Sequence, residues 1–343
     1  MKHIPALDGL RAIAIVIVFI AHCGLDNIVP GGFGVTIFFF LSGYLITTLL
    51  RWEAEITGRI DLRTFYLRRT IRIWPALYIT VLLTLVLSRW LRTDYPVETW
   101  GVIAQLAFVS NYPSLVGGAH GVPGIPLWSL AVEEHFYLIF PLLFSRLFFK
   151  TSPRKAGITC IAVCIVILAI RIVTAATIEN VGAIYYWTHT RIDSILFGSC
   201  LALWHNPAVD EDAWRPRLAH VAAAVALLIL CFVVRNELFR QTVRYTLQGG
   251  ALFVIFSFVI WDRGWIGRAL SSNALRVIGL YSYTIYLVHV PIIQFAQYWV
   301  PGISLVNMIA ISGIISMLYA AAMYRLIEKP AAGWRRRLSL AKR

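Results

Sequence analysis

Ten apolar runs make up most of the chain, at approximately 11–28, 33–50, 75–90, 128–148, 157–174, 191–205, 218–235, 243–261, 276–299 and 303–326. A helix needs about 20 apolar residues to cross the hydrocarbon core of a bilayer, and most of these runs approach that length. In hydrocarbon every backbone N–H and C=O must be satisfied inside the segment or a closed barrel, and long continuous runs select helices. The expected class is an all-α polytopic membrane protein. Composition agrees: 59% of the 343 residues are hydrophobic and 14% charged, more apolar than a soluble domain of this size needs for its core.

Charge sets the topology. An eleventh run near 100–113 (TWGVIAQLAFVSNYP) is shorter and interrupted. If it crossed, the basic loop at Lys150, Arg154 and Lys155 would face away from the basic loop at Arg51–Arg72. If it is re-entrant or interfacial, ten spans place both termini and 24 of the 31 Lys and Arg on one side. Only Arg89, Arg92, Arg171, Arg191, Arg235, Arg240 and Arg244 are left opposite. The positive-inside rule selects ten transmembrane helices with both ends cytoplasmic. It also accounts for the net charge of +14 without nucleic acid. Trp52, Trp74, Trp90, Trp128, Trp187, Trp261, Trp299 and Trp334 flank the runs as an aromatic belt would.

The first run has no small-residue cleavage site behind it and carries His22, so it reads as a retained span and not a signal peptide. Cys23, Cys160, Cys164, Cys200 and Cys231 all fall in apolar segments and read as packing residues, neither disulfides nor metal ligands. No linker or repeat interrupts the pattern. The expectation is one transmembrane domain over 1–343, with spans between roughly 7 and 330 and a basic cytoplasmic tail at 331–343 that meets membrane lipids.

Ionisable groups inside spans are costly, so each marks a candidate site. Arg11 and His22 are eleven residues apart, about 20° past three helical turns, and so share a face roughly 16 Å apart along the axis. With Arg11 at one surface, His22 would lie near the midplane. In YLRRTIRIWPALY, Arg68, Arg69 and Arg72 occupy about one turn ahead of Pro75, which suits a helix start and an anion. A basic loop gripping lipid headgroups fits them equally well. PLWSLAVEEHFYLIFP brings Glu133, Glu134 and His135 into the first two turns of a span, with Tyr137 on the face of Glu133. In RIDSILFG, Arg191 and Asp193 point to nearly opposite faces, so each needs its own partner. GLYSYTIYLVHVP places His289 in a span with Ser282 and Tyr286 on its face, as packing element or catalyst. There is no Gly-x-Ser-x-Gly, His-Glu-x-x-His or Cys-x-x-Cys motif.

The series LDGLRAIAIVIVFIAH, FFFLSGYLIT, RRTIRIWPALY, LWSLAVEEHFYLIFP, RIDSILFG, YSYTIYLVHVP and EKP resembles the membrane acyltransferase-3 family from Leu7 to Pro330. That family includes bacterial O-acetyltransferases of surface glycans and acyltransferases that modify macrolides. The resemblance implies about ten helices with cytoplasmic ends in the bacterial inner membrane. Arg11 and His22 match its arginine–ten residues–histidine motif, and Arg69 and Arg72 its Arg-x-x-Arg motif. Glu133 matches the glutamate that follows Trp128 and Ser129, while Asp193 and His289 fall on its other intramembrane polar positions. Some members carry a fused extracytoplasmic hydrolase-like domain; without such a segment here, direct transfer to the acceptor is expected.

The implied donor is acyl-CoA, most simply acetyl-CoA, with no metal. Its phosphates would meet Arg68, Arg69 and Arg72. The partner would be a carbohydrate or lipid-linked glycan, not nucleic acid. A buried neutral His22 suits a general base, and a transient acyl-histidine remains the alternative. Glu133 would orient His22 or bind acceptor hydroxyls; Asp193, His289 and Tyr286 would hold the acceptor or polarise the carbonyl. Arg11, Trp128, Ser129, Glu134, Tyr137, Arg191 and Ser282 complete the expected substrate-contacting set. A macrolide-type acceptor and a transporter or flippase of glycan precursors are the competing functions, though no inverted repeat is found. The oligomeric state stays open, a homodimer included.

Overall fold

The computed structural model describes residues 3–90, 96–112, 117–148 and 151–340, except the side chains of 148, 336 and 338–340. Arg92, Lys150, the end of the 100–113 run and the last three residues of the basic tail lie outside the described residues. Of the described residues 80% are helical, and none lies in a strand. In order the helices are α1 (Pro5–Ile20), α2 (Gly31–Thr57), α3 (Leu62–Trp90), α4 (Thr99–Leu106), α5 (Leu127–Leu143), α6 (Pro153–Thr177), α7 (Thr188–Arg191) and α8 (Asp193–Trp204). They continue with α9 (Leu218–Val233), α10 (Glu237–Gln241), α11 (Val243–Trp261), α12 (Trp265–Leu270), α13 (Asn273–Trp299), α14 (Leu305–Met323) and α15 (Lys329–Leu340). Eight helical runs among the described residues are long and apolar enough to cross a membrane, and α8 and α9 are shorter apolar helices. The protein is an all-α polytopic membrane protein. α4 has only eight residues, about 12 Å of rise against a hydrocarbon core of about 30 Å.

Three boundaries depart from expectation. The first run is helical over Pro5–Leu25, so His22 lies near its end and not at its middle. After Ile20 the backbone winds into a π turn, Ala21–Leu25, with Gly24 at φ 103°. A π turn rotates less per residue than an α-helix, so the 100° count from Arg11 does not carry through to His22. Second, α3 begins thirteen residues before Pro75. Asp61 caps it by accepting from the Thr64 backbone N–H (3.0 Å) and hydroxyl (2.8 Å). Pro75 removes one backbone bond, but stopping there would orphan several carbonyls in apolar surroundings. Third, the run at 191–205 breaks at Ile192 into α7 and α8.

The chain forms two compact units. Unit one holds Met1–Ala14, Gly32–Ile60 and Val132–Gly279; unit two holds Ile15–Gly31, Asp61–Ala131 and Leu280–Arg343. In unit one, α8 is buried along nearly its whole length, with α6 and α11 packed on it and α9 on α11. Its seam with α2 is reciprocal. A Cβ on Gly43 would strike the Ile195 carbonyl, and one on Gly198 would strike the Phe40 carbonyl, so only glycines allow this approach. Thr47 donates to Ser199 (2.9 Å), Tyr44 to Asn206 (2.9 Å), and Arg51 pairs with Asp210 at the end of the seam. In unit two, Ala76, Leu77 and Val81 of α3 pack with Leu127, Ala131, Leu287 and Met323, and α15 lies against α3.

Candidate active site

Unit two brings the two intramembrane histidines together. The His289 Nε2 lies 3.2 Å from the His22 Nδ1, with ring centroids 5.0 Å apart and the planes at 66°. The His22 Nδ1 also lies 2.9 Å from the Val18 carbonyl oxygen. The His289 Nδ1 lies 2.9 Å from the Tyr286 carbonyl and 3.0 Å from that of Ile285. Carbonyls only accept, so the hydrogen-bond network assigns the proton of each neutral ring to Nδ1. The His22 Nδ1–H is then shared by the Val18 carbonyl and the His289 Nε2 lone pair. By exclusion the His22 Nε2 carries a lone pair of its own. His289 is completely buried, whereas His22 keeps part of its ring exposed.

Around this pair, Tyr286 lies 2.5 Å from the Ser129 hydroxyl and donates to the Pro126 carbonyl at 3.3 Å. Ser129, Ser282 and Tyr286 are buried, and Trp128 is half-buried. Phe19, one turn before His22, packs near His289 at 6.3 Å. The three arginines sit in the second and third turns of α3, not at a helix start. Arg69 stands over the Phe65 ring at 5.9 Å, and Arg72 is exposed. Thr284 of α13 donates to Glu328, the glutamate of EKP, on which Arg72 and Arg335 act through their charge.

Unit one holds the other candidates. Tyr137 donates to Glu133 Oε2 (2.8 Å) and lies 2.9 Å from the Ser42 hydroxyl, while Glu134 is half-buried. His135, beside them, bonds the Thr188 hydroxyl at 2.7 Å. Asp193 is completely buried with both oxygens on Arg171, at 3.0 and 2.7 Å, and Thr246 also donates to it at 3.3 Å. That bidentate geometry is the strong form of a carboxylate–guanidinium pair. Arg191, also fully buried, stacks on Tyr245 with its guanidinium carbon 3.6 Å from the ring centre and donates to Thr36 at 3.2 Å. Arg191 and Asp193 thus have separate partners. Arg11 pairs with Asp8 (3.0 Å), which also meets His3 (2.7 Å).

The residue order did not single out Arg171, Asp8 or Ser42. Arg171 was visible as a lone charge in the fifth apolar run, and Asp8 as a carboxylate one turn before Arg11. Ser42 carries no such signal, because its contact with Tyr137 joins segments 95 residues apart.

The acyltransferase-3 family model, described as an acyltransferase domain, matches residues 4–325. The O-acetyltransferase OatA of Staphylococcus aureus is 31% identical over 345 residues, covering 96% of this chain and 57% of the relative. A second S. aureus protein, provisionally named an O-acetyltransferase, is 31% identical over 354 residues with the same coverage. The chain therefore spans 57% of the length of these curated relatives. No solved structure matches it. A family match over nearly the whole chain, on a helical membrane scaffold, shows that this chain belongs to the acyltransferase-3 family of integral-membrane proteins.

Proposed function

We propose that the protein moves an acyl group, most simply acetyl, from cytoplasmic acyl-CoA to a hydroxyl of a glycan or glycolipid at the outer face of a bacterial cytoplasmic membrane. The observation that carries this reading is the His22–His289 pair, in which the His22 Nδ1 meets the Val18 carbonyl and the His289 Nε2 and so leaves Nε2 as the basic nitrogen. A sugar hydroxyl is a weak acid and must lose its proton as it attacks. In this reading the His22 Nε2 takes that proton while the acceptor oxygen bonds to the thioester carbonyl carbon. The tetrahedral intermediate collapses, the C–S bond breaks, and the coenzyme A thiolate leaves with the proton returned by His22. The products are an ester and free coenzyme A. Arg68, Arg69 and Arg72 supply forked donors for the phosphates of coenzyme A, which is too charged to cross the bilayer.

The test is purified protein in proteoliposomes, supplied inside with acetyl-CoA and outside with a glycan acceptor. Coenzyme A release and acetyl ester formation are expected in equal amounts. His22→Ala should lower both by about a hundredfold or more while the protein stays folded, the usual scale for a lost general base. Wild-type rates in that variant would remove His22 from the chemistry. Transport of the glycan without coenzyme A release would remove the reaction itself.

A further inference from the structure

We infer that His289 is a positioning residue that selects the reactive tautomer of His22 and does not itself touch the acceptor or the acyl group. The inference rests on the proposed reading of His22 as the base, and it assigns a residue through which that base is prepared. His289 has no nitrogen left for a substrate: its Nδ1–H is held by the Tyr286 and Ile285 carbonyls, and its Nε2 faces His22. It is also completely buried, so the acceptor meets only the exposed His22 ring.

The reason for a second histidine lies in what the Val18 carbonyl alone leaves unsettled. One i−4 carbonyl at 2.9 Å favours a proton on the His22 Nδ1, but a single contact does not fix the rotation of the ring. The His289 Nε2 adds a second acceptor from another helix and fixes both the tautomer and the ring plane. His289 can accept at Nε2 only because α13 supplies two carbonyls that keep its own proton on Nδ1. The Tyr286 hydroxyl is pinned at 2.5 Å to Ser129, at the start of α5, and this anchors the turn of α13 that holds His289. The order of control runs from Ser129 and Tyr286 through His289 to His22. The logic is that of an orienting group behind a catalytic histidine, with a neutral acceptor in place of a carboxylate.

Two substitutions at position 289 separate positioning from packing. His289→Leu keeps much of the volume and removes the acceptor; His289→Gln returns a carbonyl oxygen near the place of Nε2. Both would be assayed as full-length protein in proteoliposomes, beside His22→Ala. The expected result is a kcat about tenfold to a hundredfold lower in His289→Leu, with unchanged KM for acetyl-CoA and acceptor, and recovery of most of that loss in His289→Gln. Solid-state NMR of bilayer samples with 15N-labelled histidine gives a readout independent of turnover. The His22 Nε2 should resonate as an unprotonated nitrogen in wild type and in His289→Gln, and as a mixture of tautomers in His289→Leu. A wild-type kcat in His289→Leu, or an unchanged His22 tautomer there, overturns the inference while leaving His22 as base. Equal loss in Gln and Leu variants overturns it in favour of packing. An active His22→Ala defeats the base reading itself, whatever the variants at 289 do.

Discussion

A single buried carboxylate, Asp193, has its charge balanced by a buried arginine, Arg171. Asp193 was legible as an intramembrane acid, and a substrate role was the natural expectation for it. Its identity alone could not reveal that Arg171, 22 residues earlier in the chain, fills both of its oxygens. Replacing one member of such a pair leaves an uncompensated charge in the core, which typically costs about 3–5 kcal/mol. Asp193→Asn should therefore destabilise the protein by that order, read as unfolding in detergent with rising denaturant. Replacing both, as Arg171→Met with Asp193→Leu, should restore much of the stability, since a buried pair is often no better than apolar residues of similar volume. The folded double variant should keep most of its acyl transfer. A folded double variant without transfer would place Asp193 in the catalytic set. The histidines show the opposite outcome of reading by residue. His22 and His289 were each recognisable as isolated titratable groups in apolar runs, but their meeting spans 267 positions and no periodicity announces it.

At the scale of the element, α3 shows where local rules were outweighed. Pro75 after a basic cluster reads as a helix start, yet the helix runs through it from Leu62 because Asp61 already caps that end. The continuation places Arg68, Arg69 and Arg72 on regular helix, where residues three or four apart stand side by side. Arg69 braces on Phe65 and Arg72 faces outward, an arrangement suited to clamp a polyphosphate from one side. Neutralising Arg69 and Arg72 together should remove charge-assisted bonds worth about 1.5–3 kcal/mol each, equivalent to tenfold or more in affinity. The apparent KM for acetyl-CoA should rise accordingly, with that for the acceptor nearly unchanged. Added salt should weaken donor binding in wild type and much less in the Arg69→Ala/Arg72→Ala protein, because screening then acts on a contact already gone. Unchanged donor affinity in that variant would make the arginines topology anchors. The runs themselves were readable because hydrophobic length is a strong signal; the caps, π turns and the break at Ile192 were not, because each depends on one or two side chains.

For the whole molecule, the question is how many times the chain crosses the membrane, and one ion pair bears on it. Eight helical runs among the described residues are long enough by themselves, and α8 and α9 would rise only about 18 and 24 Å if straight. Counting eight would leave the loop after α8 on the opposite side from the end of α2. Yet Arg51, at the inner end of α2, holds Asp210 in that loop and also donates to the Ala202 carbonyl at 3.1 Å. Within unit one those two ends lie together, which favours α8 as a crossing helix and, by the alternation that follows, α9 as well. Ten crossings then match the charge asymmetry of the sequence, and the positive-inside rule predicts cytoplasmic termini for that count. The eight-residue α4 is too short to add another crossing. A reporter fused after Pro153 should accordingly read cytoplasmic, one near Gly118 extracytoplasmic, and a cysteine at the exposed Glu211 should react with an impermeant maleimide only from the cytoplasmic side. Opposite readings at Pro153 and Gly118 would make the α4 segment a span and carry Glu133 to the inner face, away from a glycan acceptor. Labelling of Glu211→Cys from outside would instead mean that α8 turns back within the membrane, leaving eight crossings with the termini still together.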